Sequence, residues 1–249
     1  MKLKGSYEWP KKLPDLTDEQ IKIKDDFMRY WHEQLASTKS YEPLENFNHG
    51  YTVRNSPPGF VRTLEIGAGL GEHLVYEKLD AEQRRNYIPV ELRTNMVEKI
   101  RERFPDINAQ QGDVQGRLDF EDGYFDRIIA VHVLEHLPDL PATVKEMYRL
   151  CNKEQGIFSV VIPCEGGMAY NLARYISTEQ MFRKRYGQPY KWFIDSEHIS
   201  IPDEIIKEVS RYFECDHKEF FPFMVPITDI NLVIGLTFKP RKGPVPVAV

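Results

Sequence analysis

The sequence predicts an α/β protein built on an open, doubly wound sheet, mostly parallel with an antiparallel strand near one edge. Three observations carry that reading. Apolar, strand-like runs alternate with helix-like segments from Val61 to Pro163, which implies parallel strands joined by right-handed crossovers. The run Phe125–Val133 (FDRIIAVHV) is almost continuously apolar, as a strand covered on both faces should be. The last two strand-like segments, 216–223 and 231–238, have a link between them too short for parallel pairing, so they pair antiparallel.

Residues 1–60 read as an N-terminal helical arm. Thr17 and Gln20 have capping-box form, and the helix they open places Met28, Trp31 and Leu35 on one stripe. Tyr41–Gly59 is rich in Pro, Asn, Ser and Gly and reads as loop. Residues 61–240 form the main domain. Its first strand, Val61–Ile66, breaks at Gly67, and a helix is expected from about Gly71. Tyr87–Glu91 is the second strand, and the helix after it aligns Met96, Ile100 and Phe104 on one buried face. Ile107–Gln111 and Gly156–Pro163 are the third and fifth strands, with Pro141 near the first turn of the helix before the fifth. Residues 164–200 form an aromatic insertion, 202–212 a helix and 241–249 a loose tail.

Composition narrows the function classes. A net charge of −5 over 249 residues lacks the strong basic excess of a dedicated nucleic-acid binder. With 41% hydrophobic and 29% charged residues, a buried core is expected. No stretch reaches the roughly 18–20 apolar residues of a membrane span, and the first twenty residues lack the apolar centre of a secretory signal. Cys151, Cys164 and Cys215 form no CxxC pair, so neither a disulfide framework nor a cysteine zinc site is expected, and no metal site is assigned. A reduced, cytoplasmic protein of open oligomeric state is the expectation.

The sharpest motif is Leu64-Glu65-Ile66-Gly67-Ala68-Gly69-Leu70-Gly71-Glu72-His73. A glycine turn after a strand lets a ligand approach bare backbone at the carboxyl edge of the sheet. A dinucleotide site needs G-x-G-x-x-G and no negative charge beside its pyrophosphate. Here the third glycine comes one residue early, Glu65 and Glu72 flank the loop, and it contains no Lys or Arg. A cofactor with a sulfonium and an ammonium group, and no phosphate, suits this field.

These residues resemble the class I S-adenosylmethionine-dependent methyltransferases of the small-molecule branch, which have a Rossmann-like fold. LEIGAGLGEH is similar to their first motif, with Glu65 two residues before the first glycine. The resemblance implies that Glu91, ending the second strand, takes both ribose hydroxyls with its two acceptor oxygens. It implies that Asp113, in Gly112-Asp113-Val114, accepts from the adenine amino group, and that FDRIIAVHVLEHLPD is the fourth-strand motif. The cofactor-binding set is then Glu65, Gly67, Ala68, Gly69, Gly71, Glu91, Leu92, Asp113, Val114 and His132, the last through its backbone. The cofactor implied is S-adenosyl-L-methionine.

Three histidines are candidates for the proton acceptor that a hydroxyl nucleophile needs. His136 follows the fourth strand, His198 ends the insertion, and His49 lies in the arm segment read as a loop over the substrate. Tyr170–Trp192 carries Arg174, Arg183, Lys184, Arg185 and Lys191 against Glu179, together with six aromatics. This reads as a lid for an anionic small substrate or as a solvated amphipathic segment. The function expected is methyl transfer to O or N of a small molecule such as a sugar or lipid intermediate. The alternatives are an NAD(P)-dependent oxidoreductase and a non-catalytic S-adenosylmethionine-binding protein. Neither a nucleic-acid partner nor a membrane span is expected.

Overall fold

The computed structural model describes residues 8–243. Its seven-stranded sheet has the order β3-β2-β1-β4-β5-β7-β6. Five strands are parallel: β1 (Thr63–Ile66), β2 (Tyr87–Glu91), β3 (Gln110–Gln111), β4 (Arg127–Val131) and β5 (Ile157–Pro163). β7 (Val233–Pro240) lies antiparallel between β5 and the edge strand β6 (Phe213–Phe221). The predicted architecture is therefore the observed one. The chain order reverses between β1 and β4, and the crevice outside the carboxyl ends of the strands at such a point is where open α/β sheets bind ligands.

Successive strand residues alternate between two very different faces. One presents Leu64, Ile66, Ile128, Ala130, Phe158, Val160, Ile162, Ile234, Leu236 and Phe238, all buried. Against it pack α5 (Leu140–Leu150) through Val144, Met147 and Leu150, and α9 (Pro202–Tyr212) through Ile205 and Val209. The opposite face carries Thr63, Glu65, Arg127, Ser159 and Thr237, also buried.

That polar face is covered by α2 (Glu42–Arg54), which corrects the loop expected over 41–59. Asn48 and Gly50 disfavour helix, but Phe47 and Tyr51 are one turn apart and pack together on Val161 and Val233. The Tyr51 ring lies flat over Gly235, where a Cβ would come within 2.4 Å of it. Its hydroxyl bonds to Thr237 Oγ1 at 3.0 Å. Tertiary burial decides the conformation.

The expected helix from Gly71 is also corrected. Gly69 and Gly71 take positive φ, and only a single 3₁₀ turn, His73–Val75, follows before the short α3 (Ala81–Arg85). α4 (Thr94–Arg103) buries Val97 and Ile100 against β2 and β3. The third strand shrinks to two residues because Ile107 and Ala109 turn into the core before it begins.

In the arm, α1 (Asp18–Ser37) opens with the predicted Thr17–Gln20 capping box. Met28 and Trp31 are half-buried, while the Leu35 side chain lies outside the described residues, as do residues 1–7 of the arm and 244–249 of the predicted tail. The insertion forms α6 (Met168–Ile176), α7 (Thr178–Tyr186) and α8 (Lys191–Glu197). Apart from the exposed Tyr175, its aromatics do not stand as open walls. Phe182, Tyr190 and Phe193 close into a small core with Phe27 of α1, whose ring centroid lies 5.0 Å from Phe182 and 5.1 Å from Phe193. No helix among the described residues is long and apolar enough to cross a membrane.

Candidate active site

The glycine loop leaves β1 with Gly67, Gly69 and Gly71 at φ of 60°, 57° and 77°. A Cβ at Gly67 would lie 2.6 Å from Val133 Cγ2, so glycine is needed for the loop to press against the turn after β4. Ala68 N–H donates to Val90 O at 3.2 Å, and Gly69 N–H donates to Glu91 Oε2 at 3.1 Å. The buried Glu91 carboxylate thereby ties the loop to the end of β2, while its Oε1 accepts from Arg93 N–H at 3.1 Å. Leu92 beside it is exposed. Gly112 N–H donates to Glu91 O at 3.1 Å, which brings the third loop to the same edge. There Asp113 Oδ1 accepts from Gln115 N–H at 2.9 Å, and Val114 is buried.

The structure therefore brings Gly67, Ala68, Gly69, Gly71, Glu91, Leu92, Asp113 and Val114 together. The chemistry of this set fits S-adenosylmethionine. Carboxylates at strand ends suit ribose hydroxyls and cationic groups, whereas the loop N–H groups a pyrophosphate would use already bind carboxylates: Gly69 to Glu91, and Leu70 to Glu72 Oε2 at 2.8 Å. Arg103 reaches the loop, but its guanidinium is bound to the Leu70 carbonyl.

Glu65 behaves differently from the rest. Its carboxyl is buried and accepts from the Tyr87 hydroxyl at 2.9 Å. Burial, and after it the Glu77 and Glu72 carboxylates, push it up to about 8 against that hydrogen bond. It belongs to the polar interior under the loop.

The second half of the edge is built around histidine. His132 directly follows β4 at φ 53°, a conformation costing a non-glycine residue roughly 1–3 kcal/mol. Its N–H donates to Val161 O at 2.9 Å, and its Nδ1 lies 3.3 Å from Glu135 Oε1. The turn Leu134–His136 follows. The Glu135 carbonyl accepts from Ile199 N–H at 2.9 Å and Ser200 N–H at 3.1 Å, which pins the end of the insertion to this turn. His136 and His198 consequently meet edge to face, with centroids 5.0 Å apart and planes at 81°.

Each ring is held from behind. His136 Nδ1 donates to the Glu197 carbonyl at 2.7 Å, and His198 Nδ1 donates to Glu165 Oε2 at 2.8 Å. Both partners are acceptors only, which places the hydrogen of the neutral rings on Nδ1 and leaves Nε2 as the lone-pair nitrogen. Glu165 in turn binds Arg174 through Oε1 at 2.5 Å. Burial opposes charge on Glu135, yet the His132 hydrogen bond and the fields of His136, His132 and His198 outweigh it and hold the carboxyl down at about 2. Burial lowers His136 despite the neighbouring Glu135. For His198 burial acts downward too, but the Glu165 hydrogen bond and the Glu135, Glu165 and Glu197 carboxylates raise it.

Two of the three candidate histidines are thus brought together, and His49 is not joined to them. It sits buried on α2, its Nδ1 3.3 Å from His73 Nδ1 and its ring stacked on Tyr76 at 4.7 Å. The expectation that it lies in an arm loop is corrected along with the loop itself. The basic insertion is also largely neutralised: Arg174 pairs with Glu165, Arg183 with Glu179, Arg185 with Asp26 and Lys191 with Asp195. Sequence reasoning misses Glu135 and Glu165. The available signals are positional, since Glu135 directly precedes His136 and Glu165 follows the fifth strand by two residues.

Comparison with known proteins agrees with this geometry. Residues 64–160 match the family described as "Methyltransferase domain". No curated protein matches the chain. A TehB-like SAM-dependent methyltransferase of Corynebacterium glutamicum superposes with a TM-score of 0.58 at 12% identity, covering 88% of this chain and 98% of its own. A SAM-dependent methyltransferase of Thermotoga maritima gives 0.58 at 18% identity, over 88% and 99%. The [4+2]-cyclase SpnF gives 0.59 at 15% identity, over 93% and 99%, so the shared fold does not by itself fix the chemistry at the acceptor.

Proposed function

We propose that this chain is an S-adenosylmethionine-dependent methyltransferase and that it methylates an oxygen or nitrogen of a small molecule held against His136 and His198. The observation that carries this reading is the meeting of the two rings at the carboxyl edge, each with Nδ1 hydrogen-bonded from behind and Nε2 left to face an acceptor. S-adenosylmethionine supplies an activated methyl group and its own thioether leaving group when bound.

The chain's residues supply the rest. Glu91 and Asp113 would hold the ribose and adenine, with Gly67, Ala68, Gly69 and Gly71 forming the floor. Leu92 and Val114 add apolar surface, and the His132 backbone adjoins the edge. A neutral imidazole Nε2 can accept the proton of an acceptor hydroxyl, and the Glu165 carboxylate behind His198 stabilises the imidazolium so formed. The arm and insertion, joined through Phe27 and Phe182, would exclude water from the acceptor. The ion pairs across the insertion remove most of the charge that favours an anionic acceptor, so a neutral alcohol, phenol or amine is the better match. An oxidoreductase reading loses support because carboxylates already hold the loop N–H groups.

The test is transfer of labelled methyl from S-adenosylmethionine to a panel of sugars, phenols, hydroxy acids and amines. His198→Ala should lower kcat about 10²–10⁴-fold, with the affinity for S-adenosylhomocysteine kept. Gly69→Val, at φ 57°, should abolish that affinity. Labelled product at the wild-type rate from His198→Ala and His136→Ala alike would sink the assignment of the acceptor side.

A further inference from the structure

We propose that Glu135, His136 and His198 form a site for one divalent transition-metal ion on the acceptor side of the edge. A carboxylate oxygen and two imidazole nitrogens from these residues lie within 4.8 Å of one another. His136 Nε2 is 3.9 Å from Glu135 Oε1. Ligand atoms around one ion sit about 2.1 Å from it and so roughly 3–4 Å apart, which small rotations of the two rings would satisfy.

Orientation separates this cluster from a chance gathering of histidines. Metal-binding imidazoles characteristically donate their second N–H to a carbonyl or carboxylate, which fixes the tautomer and aims the free nitrogen. Both rings here do so, His136 to the Glu197 carbonyl and His198 to the Glu165 carboxylate. The supports are themselves held, Glu165 by Arg174 and Glu197 by an ion pair with Lys24.

A second, independent observation concerns Glu135. Its side chain is fully buried; Oε1 lies 3.3 Å from His132 Nδ1, whereas Oε2 accepts no hydrogen bond from the described residues. An unpartnered buried carboxylate oxygen is costly. A cation among the three residues would satisfy it, whereas imidazoles acting only as bases would leave it without a donor.

The donor set favours zinc, manganese, cobalt or ferrous ion over magnesium or calcium, which prefer oxygen throughout. Three protein ligands leave coordination positions open, the pattern of a catalytic rather than a structural site. An acceptor hydroxyl bound there would release its proton to water more readily than in the free alcohol. The inference rests on the acceptor side proposed above and narrows it to an oxygen acceptor: with the ion bound, the Nε2 lone pairs hold it, and water takes over from the rings as acceptor of the hydroxyl proton.

Metal-free protein titrated with Co²⁺, followed by its visible absorption, and with Zn²⁺ by calorimetry, tests this without any turnover. One ion per chain is expected, with Glu135→Gln and His198→Ala each weakening binding at least tenfold. His217→Ala, which removes an exposed histidine paired with Glu219, should leave it unchanged. S-adenosylhomocysteine affinity in the same variants reports that they are folded. Absence of stoichiometric binding to the wild type, or binding unaltered in His198→Ala, overturns the site. A bound ion with no acceptor methylated would keep the site and defeat the proposed acceptor side. Full methylation by chelated protein would return the proton to the imidazoles and defeat the ion's role.

Discussion

On one face of the sheet Leu64, Ile128, Phe158 and Leu236 meet α5 and α9 through apolar contact. On the other, Arg127 meets Glu77 and Ser56, Glu65 meets Tyr87, and Thr237 meets Ser159 and Tyr51 of α2, all through hydrogen bonds or charge. Both faces are buried, and the same strands supply both. Contacts on the apolar face are non-directional, so its stability follows the volume filled. The polar face has no such tolerance: each group depends on a particular partner in a poorly solvated interior. It is the polar face that reaches the sequence segment of the glycine loop, through His73, Glu77 and Glu65.

The largest expected effects come from breaking each face in its own way. Phe158→Ala should cost about 3–5 kcal/mol as lost burial plus a cavity. Arg127→Ala should cost a similar ~3–5 kcal/mol by another route. Arg127 is wholly buried, 2.8 Å from Glu77 Oε1, with Nε on Thr63 Oγ1 at 3.1 Å and its guanidinium 3.9 Å over the Phe60 ring. Removing it takes the guanidinium charge from the buried Glu77 carboxylate and leaves that group on the His73 ring, whose Nε2 lies 2.9 Å from Oε1. The two faces then diverge in a double mutant measured by urea unfolding. Arg127→Met with Glu77→Gln should recover at least about 1 kcal/mol relative to the sum of the singles. Strict additivity at Arg127 and Glu77 would erase the distinction between the faces.

A smaller, pH-dependent effect follows from Glu65. Its carboxyl titrates near 4.5 in the unfolded chain and at about 8 in the fold, raised first by burial and then by Glu77 and Glu72. Between those values the folded protein holds a proton that the unfolded chain has released, so stability falls as pH rises through that window. The slope is at most about 1.4 kcal/mol per unit. Unfolding measured from pH 5 to pH 8.5 should show Glu65→Gln losing less stability than the wild type over that range. Equal slopes in the two proteins would mean that Glu65 is ionised and paired.

The contrast between the faces also explains what was legible in the sequence. Strand order along the chain, the antiparallel ending and the glycine loop are local signals, carried by apolar runs, link lengths and a motif, and they stand in the structure, although the third strand is shorter than its apolar run. The helix α2 is not local: its own residues argue for loop, and only Phe47 and Tyr51 landing on β5 and β7 make it helical. His136 and His198 can be singled out one at a time. Their meeting depends on Ile199 and Ser200 N–H groups reaching the Glu135 carbonyl, a backbone contact that leaves no mark on side-chain pattern. The insertion misleads for a related reason. Its charge and aromaticity are read as a surface, yet Asp26 and Phe27, which take up Arg185 and Phe182, lie in the distant arm.

The smallest predicted effect asks how α2 holds to the polar face. Tyr51→Phe removes only the hydroxyl that bonds to Thr237 Oγ1 at 3.0 Å and donates to the His217 carbonyl at 3.3 Å, while the ring stays on Gly235. A single buried hydrogen bond to neutral partners is worth about 1 kcal/mol net. Thr237 keeps its contact with Ser159 Oγ at 3.3 Å, so the loss should remain near that value by urea unfolding. Thr237→Val in the same background should then cost less than it does in the wild type, because its partner is already gone. A loss beyond about 2 kcal/mol for Tyr51→Phe would mean that the hydroxyl network, rather than ring packing, anchors the arm. No loss at all would place α2 with the apolar face in kind, held by Phe47 and the Tyr51 ring alone.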